Sequence, residues 1–305
     1  MSVDTVFEHV FVADKSTGDV FEEISHICLQ IDSSLDIPRL RDIYDDIVRL
    51  FKGEVAGYRE CNTRYHDLSH TISVFLATAR LIHGAIVTEK LKSTANVVNC
   101  LVAALFHDVG FIQDETDTEK SGATHSPDHE QRSIDFMQHH LQEKDFSSQD
   151  IDTIGHIISR TILDLPEEQI PPLPEDIDLL SRILGTADLI AQMADRFYLE
   201  KLLYLYREFE EAGVRGFVSE LDLLKKTESF YKEQSKKRLQ KELGNLVPLM
   251  RDHFRERFGI DRNLYQEYID KNIDYLKTIL ESHESDYRRM LRRGGVVASL
   301  EDELI

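Results

Sequence analysis

Basic residues, cysteines and long apolar runs are all scarce in this 305-residue chain, and each shortage closes off a class of function. Lys and Arg number 36 against 56 Asp and Glu, a formal charge of −20. That balance argues against a DNA or RNA polymer as the main partner. A small phosphorylated substrate stays compatible with it, because a local metal site outweighs the global field. Cys28, Cys61 and Cys100 are odd in number and lack metal-type spacing, so a disulfide framework is not expected, in keeping with a reducing compartment. No stretch approaches the roughly 20 apolar residues of a membrane span. Asp4 and Glu8 stand where a secretion signal carries positive charge. The expectation is a soluble, cytoplasmic protein with no membrane partner.

What is present is helical periodicity. Leu40, Ile43, Ile47, Leu50 and Phe51 recur at spacings of three and four from Ile37 onward. A second helix is predicted from about Asp67, a greasy one over 95–109, and others over 128–143, 148–162 (entered from Ser147 or Ser148) and 175–195. Segments 197–241 and 261–283 read as long charged amphipathic helices. Phe7, Val10, Phe11 and Val12 suit a strand or a short helix, residues 111–127 form a long polar loop, and Pro166, Pro171, Pro172 and Pro174 interrupt everything between 165 and 175. No internal repeat and no convincing strand is evident, so the fold class is all-α. The expected organisation is an N-terminal segment, 1–36, belonging to the same unit, a helical core over 37–196, and a helical extension, 197–305, packed on it. Arg288, Arg289, Arg292 and Arg293 read as a solvated tail.

Three motifs carry chemistry. Leu101 to Phe106 is apolar throughout and leads into His107-Asp108-Val109-Gly110; a buried His-Asp pair needs a partner of matching strength, for which a metal ion is the strongest candidate. In Tyr65-His66-Asp67-Leu68-Ser69-His70 the two histidines are four apart and share a helix face. Asp188 sits on the apolar stripe of Leu180, Leu184 and Ala191 and requires neutralisation. Alone, each has a plain structural reading: a surface His pair, a helix terminus, a salt bridge from Asp188 to Arg160, Arg182 or Arg196. His with Asp suits Zn²⁺, Mn²⁺, Fe²⁺ or Mg²⁺.

Taken together, His70, then His107-Asp108, then Asp188, each on a largely apolar helix, resembles the ligand order of the HD-domain superfamily of metal-dependent phosphohydrolases. Residues 65–70 are similar to the Tyr-His-Asn-x-x-His signature of its cyclic nucleotide phosphodiesterase branch. The resemblance covers roughly residues 60–196. It implies an HD-type helical bundle, one or two divalent ions held by His70, His107, Asp108 and Asp188 with Asp108 bridging, and His66 as proton donor to the leaving oxygen. Asp67 replaces the usual Asn, Val109-Gly110-Phe111 replaces the usual continuation after His-Asp, and Gln192 is not in the context of the purine-gripping glutamine. These departures separate the metal-hydrolase chemistry, which the resemblance implies, from cyclic nucleotide specificity, which it leaves open.

Other branches place extra histidines between the second and last ligands, so His129, His156 and His125 are candidates for a second metal or phosphate contact. Glu130, Arg160 and Arg196 are candidates for orienting a ligand or holding phosphate; Arg64 is another for phosphate. The expected function is hydrolysis of a phosphodiester or phosphomonoester, foremost of a nucleotide. Whether the chain works as a homodimer stays open. The alternatives are an HD-type di-iron oxygenase, which needs two further His ligands, and a catalytically silent ligand-sensing module.

Overall fold

Helices form where the apolar spacing places them, and their ends are set by local caps. The computed structural model describes residues 17–163, 165 and 169–302. Its helices are α1 (Thr17–Ile31), α2 (Ile37–Phe51), α3 (Leu68–Val87), α4 (Val97–Phe106), α5 (His129–Gln142), α6 (Ser148–Ser159), α7 (Glu175–Ala194), α8 (Tyr198–Glu211), α9 (Glu220–Ser229), α10 (Leu249–Phe258), α11 (Leu264–Ser282), α12 (Tyr287–Met290) and α13 (Val296–Asp302). Among the described residues there is no strand, only one isolated antiparallel bridge between Tyr58 and Asp114. The fold is all-α. The apolar stretch Phe7–Val12, the acids Asp4 and Glu8, and Pro166 lie outside the described residues.

Asp36 caps α2 by accepting from the Arg39 amide, and Ser147 caps α6 by accepting from that of Asp150. Helix α7 opens directly after Pro174 with Glu175, Asp176 and Asp178 in its first turn, where the helix dipole favours negative charge. The 197–241 segment, expected as long amphipathic helix, is interrupted. Gly213 and Gly216 take positive φ between α8 and α9, and α9 runs on into π-helical turns at Phe230–Ser235 and Arg238–Glu242. The polar loop at 111–127 holds a short 3-10 turn, Gly122–His125.

Helix α3 is the axis of the molecule, packed against α1, α4, α7 and α10. It is long and apolar enough to cross a membrane, which corrects the expectation that no stretch is. Its most apolar window has a mean hydropathy of 1.3 and is 83% buried by other helices. Gly84 permits the approach of α10, since a Cβ there would lie 2.1 Å from the Leu249 carbonyl oxygen. The chain's last third packs on the same axis, α10 against α3 and α11 against α7.

The terminal arginines are not a solvated tail throughout. Arg288 binds the buried Glu220 through two nitrogens, at 2.9 and 2.7 Å, and Arg293 binds the fully buried Glu200 at 2.9 Å. A buried carboxylate left unpaired costs several kcal/mol, of order 3–5, and these acids on α8 and α9 draw the arginines in.

Candidate metal centre

His70, His107 and Asp108 converge as one buried group, and Asp188 approaches its two histidines from α7. Asp67 caps α3 by accepting from the His70 amide at 2.8 Å, so the residue that departs from the phosphodiesterase signature fixes the turn carrying His70. Helix α4 ends at Phe106, and a 3-10 turn over Val109–Phe111 follows. Ser133 of α5 clamps this junction: its hydroxyl donates to the His107 carbonyl at 2.7 Å and accepts from the Gly110 amide at 2.9 Å. Gly110 is obligatory there, because a Cβ would stand 2.0 Å from the His129 carbonyl oxygen. Asp188 enters from the middle of α7.

The resulting distances are short and mutually consistent. His70 Nε2 lies 3.4 Å from His107 Nε2, 3.3 Å from Asp108 Oδ2 and 3.2 Å from Asp188 Oδ1. His107 Nε2 lies 3.3 Å from Asp108 Oδ2 and 3.8 Å from Asp188 Oδ1. Ligands at about 2.0–2.1 Å from one tetrahedral ion are separated by about 3.3 Å. His107 Nδ1 donates to the Ala104 carbonyl at 2.9 Å, which turns Nε2 toward the cluster, as metal-bound imidazoles require. Asp108 Oδ2 is buried and makes no hydrogen bond, so its charge depends on a cation at the cluster, a protonated imidazole or a metal ion. His70, His107 and Asp108 thus form a buried group that can hold a metal ion.

Electrostatics agree. Burial opposes protonation of His70, but Asp108 and Asp188 overcome it and push its pKa up to about 10. Burial likewise disfavours charge on His107, and Asp108 reverses that, raising its pKa. Asp108 stays well below the ordinary carboxylate range: burial works against its charge, and the His107 and His70 rings beside it prevail. The cluster demands a positive charge, whether proton or metal.

His66 stands beside it, its ring centroid 5.9 Å from that of His70. Its Nδ1 contacts Glu208 Oε2 at 2.7 Å, and the other oxygen of Glu208 accepts from the Arg64 and Tyr65 amides at 2.7 Å each. Burial works against its charge, and Glu208 overrides it, raising the His66 pKa. Phe111 is sandwiched between His66 and His129, with ring centroids 4.4 Å from each. The Tyr65 hydroxyl donates to Gln192 Oε1, and Gln192 Nε2 donates to the Asp188 carbonyl at 3.2 Å.

The further candidates divide. His129 donates from Nδ1 to the Ser126 carbonyl at 2.8 Å and places Nε2 3.7 Å from Asp108 Oδ1. Glu130 Oε2 lies 3.2 Å from His129 Nδ1, and burial raises the Glu130 pKa. His156 and His125 are not brought in: His156 lies on the exposed face of α6, and His125 pairs with Asp117 at 2.7 Å. The rotation of α6 carries His156 to solvent and Asp117 holds His125, neither of which sequence spacing reveals. Arg160 donates to the Glu242 carbonyl at 2.8 Å, Arg196 lies over the Phe197 ring, and Arg182 pairs with Asp178. Arg64 donates to Ser299 at 2.9 Å. None of these four arginines lines the cavity over the cluster. Sequence reasoning missed Glu208 and Phe111. Glu208 carries the signal that exposed Asp188, an acid on an apolar helix stripe, here beside Leu205 and Phe209.

A family model described as Npun_R2479-like matches residues 115–250, less than half of the chain. That span includes His129, Asp188 and Glu208 and leaves His66, His70, His107 and Asp108 outside. No curated protein and no solved structure matches the chain.

Proposed function

We propose that this chain is a metal-dependent phosphohydrolase acting on a phosphomonoester or phosphodiester. The observation that carries it is the convergence of His70, His107 and Asp108, with Asp188 against both histidines, around a buried carboxylate oxygen that faces two imidazoles without a hydrogen bond, beside the glutamate-held His66. Zn²⁺, Mn²⁺, Fe²⁺ or Mg²⁺ suits this donor set, and when bound would polarise a phosphoryl oxygen and acidify water. Asp108 turns Oδ2 to His70 and His107 and Oδ1 to His129, so His70, His107 and Asp108 would hold one ion and His129 would be the residue available to a second.

The chain's own contribution to the reaction is proton delivery. Glu208 fixes the His66 ring through Nδ1 and favours its protonated form. The remaining ring nitrogen serves the cavity that His66 lines, and from it His66 protonates the departing oxygen, a role typically worth about 10²–10⁴-fold. The oxygenase alternative needs two further histidines at the centre; of the candidates, His129 alone approaches Asp108, which favours the hydrolase.

The test pairs metal analysis with a phosphoester screen under added Mn²⁺, Mg²⁺ and Fe²⁺. The wild type is expected to bind metal and to hydrolyse a phosphoester, Asp108→Ala to lose both, and His66→Gln to keep metal and lose turnover. Survival of both properties in Asp108→Ala would falsify the assignment.

A further inference from the structure

Above the cluster opens a cavity of about 550 Å³ whose floor includes His66, Asp108, His129 and Asp188, within the size range of small-molecule sites. Its wall is built from Leu189 on α7, Leu202, Leu205 and Phe209 on α8, Phe217 in the following loop and Leu223 on α9. Phe209 and Phe217 stack on each other at 5.3 Å. Exposed large hydrophobic side chains gather at the mouth. Leu163 is 50% exposed and Phe230 40%, both lining the cavity, and Val218, next to Phe217, is 85% exposed.

Several polar side chains of this wall are committed to the protein itself, while Arg215 and Gln234 also line it. The Thr161 hydroxyl donates to the Ile158 carbonyl, that of Thr227 to Leu223 and that of Ser229 to Lys226. Gln192 uses both ends of its amide, on Tyr65 and on the Asp188 carbonyl. Lys226 is engaged by Asp222 and the Gly216 carbonyl. A nucleobase is recognised by free donors and acceptors along its edge, and a polyphosphate by several cations. Outside the cluster, two cations, Arg215 and Lys226, and two acids, Glu130 and Glu233, line the cavity together with eight Leu and Phe side chains, so its charges offset and its apolar residues set its character.

Resting on the phosphohydrolase reading, we infer that the substrate is a phosphoric ester whose organic group is predominantly apolar, alkyl or aryl. The phosphoryl head sits over the cluster, and the apolar body fills the space between α8, α9 and Leu189. Burying each further methylene of such a body tightens binding about threefold to fourfold.

The test is calorimetric binding of n-alkylphosphonates, methyl to octyl, to the full chain with Mn²⁺, alongside AMP and 1-octanol. Affinity is expected to climb threefold to fourfold per methylene over the first several, and octylphosphonate to bind more tightly than AMP. Leu205→Gln and Phe230→Gln, at half-buried and exposed positions, are expected to flatten that climb and leave methylphosphonate affinity unchanged. Methylphosphonate binding with no dependence on chain length, or AMP binding more tightly than octylphosphonate, overturns the apolar-substrate inference and leaves the hydrolase reading standing. Binding of 1-octanol with no phosphonate bound at any length supports the apolar body and overturns the phosphoryl head.

Discussion

Alkali should cost the metal-free protein stability that the metal-loaded protein keeps, and the size of the difference follows from His70. Its ordinary pKa is 6.5, and in the folded chain Asp108 and Asp188, against the effect of burial, push it to about 10. Between those values the folded, metal-free chain holds a proton that the unfolded chain has released. This contribution to stability is complete below pH 6.5 and is lost as pH rises toward 10, at about 1.4 kcal/mol per pH unit. An ion on Nε2 displaces that proton, so the loss is absent from the loaded protein. For a chain of this length the divergence corresponds to about 2–3 °C in Tm per pH unit. The assay is thermal unfolding from pH 6.5 to 8.5 with EDTA or with excess Mg²⁺ or Mn²⁺. The gap between the two curves should widen with pH, and Asp108→Asn should close it. A gap of constant size across the range would refute the reasoning, because the ion would then not compete with a proton.

Other outcomes follow from the same geometry. In Glu208→Gln, His66 loses the carboxylate that raises its pKa, so the alkaline limb of the kcat/KM profile should move to lower pH while metal content holds. Gly110→Ala forces a Cβ to within 2.0 Å of the His129 carbonyl oxygen; urea denaturation should show a loss of about 3 kcal/mol, accompanied by weaker metal binding. His156→Ala should change neither metal content nor stability beyond about 0.5 kcal/mol, whereas His129→Ala should lower the number of ions bound per chain. Burial, and for His253 also the nearby Arg80, lowers the pKa of the paired residues His83 and His253. They are neutral in the folded chain and charge on unfolding in acid, so stability should fall as pH drops below 6.5. His253→Leu should reduce that slope in Tm measured from pH 6.5 to 5.

The periodic apolar spacing was enough to place the helices from Ile37 to Ala194, because burying one face is a local requirement that every turn repeats. The same logic picked out Asp188, since a carboxylate on an apolar stripe demands a partner wherever it folds. It worked for His107-Asp108 too, where a fully apolar helix leaves no water to solvate the pair. Where the logic failed, the deciding quantity was rotation or distance in space. His156 and His129 read alike along the chain, yet the turn of α6 sends one to solvent, while the Ser126 carbonyl aims the other at Asp108. Arg288 and Arg293 read as a tail until Glu220 and Glu200, some seventy to ninety residues earlier, supplied buried partners. The sequence alone determined an all-α chain and the residue types of a cation-demanding centre, both properties of near neighbours. Only the tertiary structure brought Glu208 to His66 across 142 residues and raised an apolar wall over the cluster, because those contacts depend on how α8 docks against α7 and α9 against α8 and α11.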